Sequence, residues 1–120
     1  MKAKVFKIEE NDFKPLATGR GGCIATDLIT VHGEKVGYMY REEPDPNKTA
    51  DSGWRFFSGS EDDAYANDPD NLAFYDVNTI ANYDPDIIPL LDTPAPCAFA
   101  RDDGGAFVEE EAPAEDESND

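Results

Sequence analysis

The side chains of this chain that could move a proton, hold a cation or attack a bond are mostly aspartates. They come in close pairs: Asp62 with Asp63, Asp68 with Asp70, and Asp84 with Asp86. Carboxylate-based hydrolysis needs two such groups across a cleft, one of them with a raised pKa. Each pair has a second explanation, because Asp before Pro or before a short polar run is a helix-start or turn residue. A nucleophilic triad needs a base beside its nucleophile. The sole histidine, His32, sits in the turn TVHGEK, residues 30–35, far in sequence from any other imidazole or thiol. Cys23 and Cys97 lie 74 positions apart without ligand-type neighbours, and two free thiols in a reducing compartment are expected. The loop EEPDPNKTADSG, residues 42–53, sets oxygen ligands at 45, 47 and 49. A calcium loop begun at Asp45 would need glycine where Ala50 stands and glutamate where Phe56 stands. The glycine-rich ATGRGGC, residues 17–23, has no Lys-Ser or Lys-Thr after it and lacks the GxGxxG spacing. No catalytic residue, metal ligand or cofactor is therefore assigned. The alternative is a small enzyme or divalent-metal-binding protein using Asp side chains near segments 51–59 and 82–86.

Arginine beside aromatic residues points to recognition instead, since Trp, Tyr and Arg are enriched in interface anchors. The stretch from Lys35 to Ser60 holds the only Trp, two Tyr, an FF pair and Arg41 and Arg55. Arg41, Asp51, Trp54 and Arg55 are its candidate binding residues, and Asn82, Tyr83 and Asp84 are added from a helical elbow further on. The opposing explanation is that Arg41 and Arg55 pair with Glu42, Glu43 or Asp51 and order a hairpin.

The elements that must position these residues follow from period and punctuation. VFKI, residues 5–8, alternates like an edge strand. Gly22–Ile29 reads as a strand. Val36–Arg41 is a second, with Val36, Tyr38 and Tyr40 on one face and Gly37, Met39 and Arg41 on the other. Trp54–Ser58 is a third, with Trp54 and Phe56 opposed to Arg55 and Phe57. Aromatics on both faces suggest a central strand, or one face carrying a ligand surface. Ser60 with Asp63 predicts a capping box for a short helix over 61–67. Leu72–Asp76 is a short strand and Val77–Tyr83 a helix capped by Asp76. Asp84–Pro85 restarts the chain as an elbow that Pro89 cuts short, and Cys97–Arg101 is the last core segment. The fold class is α+β: a small, strongly curved, mainly antiparallel sheet with short helices, followed by a disordered acidic C-terminal tail.

Of 120 residues, one domain over 1–101 is expected, with the tail over 102–120. Residues 1–101 carry 18 acidic and 10 basic side chains, whereas 102–120 carry 9 acidic and none basic, within a net charge of -17. Such a balance opposes nucleic-acid binding, which relies on Lys and Arg to neutralise phosphate, and favours a basic protein partner. No run approaches the roughly 20 apolar residues of a membrane span. The basic start lacks an apolar signal region after it. A cytoplasmic monomer without a membrane partner is expected.

The strings GGCIATDLIT, VGYMYREEPDPNKTADSGWRFFSG and NTIANYDPDIIPLLDTP, which span about residues 20–101, carry a resemblance. The chain resembles a small bacterial domain family of unknown function that is grouped in some classifications with immunity proteins of polymorphic toxin systems. The shared residues include Asp51, Trp54, Arg55 and Gly59 in one block and Asn78, Asn82, Tyr83, Asp84 and Pro85 in the other. The resemblance implies a compact α+β domain and a non-enzymatic role in binding a cognate toxin. It implies no active site.

Overall fold

The structure is a computed structural model that describes residues 6–9, 12–43, 47 and 50–112. Its strands are β1 Gly22–Thr26, β2 Tyr38–Arg41, β3 Asp51–Phe57, β4 Leu72–Asp76, β5 Cys97–Arg101 and β6 Phe107–Glu110. They form one six-stranded sheet in the order β4-β1-β3-β2-β5-β6. Four ladders are antiparallel and one, β1 on β3, is parallel. The helical elements are α1 Asp27–Thr30, α2 Asp63–Ala66 and α3 Val77–Tyr83, with 3-10 turns at Pro69–Asn71 and Pro85–Leu90.

The paired aspartates explain where these helices begin. Asp62 accepts from the Tyr65 N–H at 2.8 Å, Asp68 from Asp70 at 3.0 Å, Asp76 from Asn78 at 2.8 Å and Asp84 from Asp86 at 3.1 Å. Each carboxylate satisfies a backbone donor that a helix start leaves without an intrahelical partner. The cap of α2 is Asp62 rather than the expected Ser60. The reason is Glu61, whose carboxylate turns back to the Ser58 and Gly59 N–H groups and to the Thr26 hydroxyl, so the helix starts two residues later.

The sheet corrects three expectations. It is mixed, mostly antiparallel and not strongly curved; among the described residues β4 and β6 are its open edges. Strong curvature is built from repeated bulges and glycine kinks. Here the register shifts at one place, where β1 runs from Gly22 to Ile24 against Asp51 to Arg55 of β3. Second, Gly22–Ile29 is not one strand: the chain leaves the sheet at Thr26 and turns into α1. Third, the sheet continues past residue 101, into the stretch expected to be a disordered tail. The β6 strand pairs with β5, and the Arg101 guanidinium lies 4.2 Å from the Phe107 ring centre. An apolar pair in the middle of an acidic run, Phe107–Val108, was enough to seat a strand. Residues 113–120 of the proposed tail lie outside the described residues.

The VFKI edge strand is not formed by its described part, Phe6–Ile8. That segment docks on the helical side instead, with the Lys7 N–H donating to Thr30 O, the Ile8 N–H to the Tyr83 hydroxyl, and Phe6 meeting Tyr75 edge-on. The core lies between the sheet and α3. Cys23, Ala25, Met39, Trp54, Phe56 and Phe99 from the strands meet Val77, Ile80, Ala81 and Ile87 from the helices.

Candidate functional site: the uncovered face of the sheet

Side chains alternate between the two faces of a strand, so the register divides the sheet. Every strand residue of the core cluster belongs to one face. The other face carries a row that crosses all six strands: Phe74, Ile24, Arg55, Tyr40, Ala98 and Glu110. A second row beside it runs Phe57, Tyr38, Ala100 and Val108. None of these ten residues joins the core cluster. Phe74 is 55% exposed and Val108 48%.

The centre of this face is aromatic. The rings of Tyr38 and Tyr40 are 5.9 Å apart, Tyr38 and Phe57 6.2 Å, and Tyr40 and Phe57 6.0 Å with nearly parallel planes. All three are half-buried. Burial pushes both phenols' pKa values up; the charge of Glu110 adds to this at Tyr38, and that of Glu42 at Tyr40, where Arg55 opposes it. The phenols therefore stay neutral hydrogen-bonding groups.

Arg55 lies across from Tyr40 and is held by two carboxylates. Its Nη1 and Nη2 donate to the two oxygens of Asp51 at 3.0 and 2.9 Å, and its Nε donates to Glu42 at 2.8 Å. The guanidinium side chain is 11% exposed and the Asp51 side chain 10%. Burial alone would lower the guanidinium pKa, but the hydrogen bonds and charges of Asp51 and Glu42 outweigh it and hold it further up. Local backbone sets this geometry. Gly53 has φ +92°, a conformation that side-chain-bearing residues avoid, and a Cβ there would lie 2.2 Å from the Glu42 carbonyl oxygen. Its N–H donates to Asp51 Oδ1 at 2.9 Å. The kink thus folds the Asp51 carboxylate back over its own strand to meet Arg55 four residues on. The whole is a rigid polar pair set beside an apolar patch.

The candidate residues read from the sequence are divided by the structure. Asp51 and Arg55 come together on the uncovered face. Trp54 is 1% exposed in the core and donates its indole N–H to Leu91 O at 3.2 Å. Arg41 stacks over that indole, 5.6 Å from the ring centre, and donates to Ser52 O and Thr93 O. It lines, with Arg20, Trp54 and Asp92, a cleft of about 390 Å³ on the opposite side from Arg55. Asn82 and Asn78 grip the backbone of Lys14, Leu16 and Ala17, and the Tyr83 hydroxyl donates to Thr30 O. Asp84 is fully buried, accepting from the Val36 N–H at 3.0 Å and from Arg101 at 2.6 Å. The elbow therefore secures the fold on the helical side and does not reach Arg55. Tyr38, Tyr40, Phe57 and Phe74 were not among the candidates. The alternation in Tyr38–Arg41 and Trp54–Phe57 carried the signal, because it put aromatics on a face that Met39 and Trp54 did not need.

Among the described residues, no group of three or more His, Cys, Asp or Glu side chains is placed to hold a metal ion, and both cysteines are buried free thiols. Burial pushes the Cys23 thiol far up, out of the nucleophilic range. No helix among the described residues is long and apolar enough to cross a membrane. Residues 23–111 match the Immunity protein Imm33 domain, and the chain belongs to that family. The match runs through β6, in keeping with that strand's place in the sheet. Neither the curated proteins nor the solved structures contain a match to the chain. Membership accords with a non-enzymatic, protein-binding role of the toxin-immunity kind.

Proposed function

We propose that this protein neutralises a cognate toxin by binding it through the uncovered face of the sheet. The observation that carries the reading is that face itself: aromatic at the centre, with a preorganised Arg55–Asp51 pair, on a chain of an immunity family. Rigid aromatic anchors and a hydrogen-bonded arginine are what a protein–protein interface concentrates at its core. The partner is a basic protein. A net charge of -17 steers a cationic partner in and repels nucleic acid, which speeds association at low salt. The protein acts as a cytoplasmic monomer, and the acidic residues that follow β6 in the sequence add to the attraction.

The test is protection of cells that express the toxin encoded beside this protein. Wild type is expected to restore growth and to co-purify with the toxin. A variant with Tyr40→Glu and Phe57→Ser on the uncovered face is expected to fold and to lose both. A protective variant would move the interface elsewhere, and a wild type that neither protects nor co-purifies would end the immunity reading.

A further inference from the structure

We infer that the cluster of Tyr38, Tyr40 and Phe57 is a receptor for one guanidinium or ammonium side chain of the partner; this rests on the toxin-binding reading above and gives it a chemistry. Three rings within 6.2 Å of one another offer adjoining π faces to a single cation, and cations bind such faces from within about 6 Å of the ring centre. The flank towards β6 is kept low. Tyr38 and Tyr40 are opposite Ala100 and Ala98 on β5, so no large side chain stands between the rings and Glu110 or Val108 beyond them.

Two carboxylates border the cluster. Glu42 has a side chain 43% exposed and gives only Oε2 to Arg55; Glu110 is exposed in the row of Tyr40. Their charges are felt at Tyr40 and Tyr38 respectively. A carboxylate of the partner would meet repulsion here, and a neutral apolar group would leave the exposed Glu110 and the second oxygen of Glu42 unused. A cation satisfies rings and acids together. Among the described residues, the chain's own cations do not occupy the place: Arg55 is turned to Asp51 and Glu42, and the guanidiniums lying over rings are Arg41 on Trp54 and Arg101 on Phe107. Those two contacts show the same chemistry closed within the molecule, on its helical side. At the Tyr38–Tyr40–Phe57 cluster it is left open by the described residues.

The experiment titrates the full-length, isotope-labelled protein with a short oligo-arginine peptide and with the matching oligo-citrulline, which keeps the shape and removes the charge. Arginine is expected to shift the amide and ring signals of Tyr38, Tyr40 and Phe57, and citrulline to leave them in place. Tyr40→Phe keeps the ring and should bind as wild type. Tyr40→Ser is expected to weaken binding roughly three- to thirty-fold, the scale of one cation–π contact, with the rest of the spectrum unchanged. Shifts confined to residues from 109 onward, or equal affinity in Tyr40→Ser, would overturn the receptor. Protection from the toxin separates the two readings. If Tyr38→Ser/Tyr40→Ser protects as well as wild type, the receptor falls and toxin binding stands. A wild type that fails to protect counts against immunity, while the peptide titration still decides the receptor.

Discussion

Trp54 and Arg55 are consecutive residues of one strand that work in opposite halves of the molecule. Trp54 lies in the core cluster with residues of α3, under the Arg41 guanidinium and bonded to the Leu91 carbonyl. Arg55 is held at the other face by Asp51 of its own strand and by Glu42 just past β2. Both are almost inaccessible, yet the first is covered by secondary structure and the second by an ion-pair network at a surface. Burial alone does not separate a core residue from one set in a sheet face that no helix covers. What covers it does.

Substitutions can break that comparison. Trp54→Ala is expected to have the largest effect, about 3–5 kcal/mol of stability, the range for large aromatics truncated in a core; urea unfolding measures it. Arg55→Ala removes the partner of a carboxylate that is 10% exposed. An unpaired charge at full burial costs about 3–5 kcal/mol, and water reaches this one, so about 2 kcal/mol is expected. Equal losses from the two substitutions would mean that the uncovered face is as much a core as the other.

Tyr38→Ser should cost about 1 kcal/mol, the scale of the half-buried ring's contacts with Tyr40 and Phe57, while reducing protection from the toxin. Stability and binding measured on the same variant sharpen the distinction. Glu61→Gln is expected to show the smallest effect, visible only in acid. Burial raises the Glu61 pKa, but hydrogen bonds from Thr26, Ser58 and Gly59 outweigh it and bring it below its ordinary 4.5. A carboxyl depressed in the folded state stabilises above its unfolded value, and that share is lost as pH falls through the folded one. Wild type should therefore lose stability below about pH 4.5, and Glu61→Gln should flatten that limb in thermal melts.

What was legible in the sequence was local. Leu72–Asp76, Val77–Tyr83 and Cys97–Arg101 form at the bounds expected because Asp76, Pro85 and Pro96 punctuate the chain on the spot. Gly22–Ile29 had no such punctuation, and its apolar run hid the step from strand to helix at Asp27. The faces of Tyr38–Arg41 and Trp54–Phe57 could be sorted by alternation, but which face α3 would cover depends on contacts across the fold. That is why Arg41 and Arg55, alike in sequence, end on opposite sides. The β6 strand was concealed by charge: one-sign acidity masked Phe107, whose anchor, Arg101, lies across a ladder.

The parallel pairing of β1 has a further consequence, for the order of assembly. Gly22 pairs with Asp51 on one side and with Asp76 on the other, so β1 waits for partners made much later. The β2–β3 hairpin closes a far shorter loop and can form first. The hairpin, aromatic on both faces, can therefore form before α3 covers one of them. Until then the uncovered face and the future core are equally bare, and the packing of α3 against one of them makes them different.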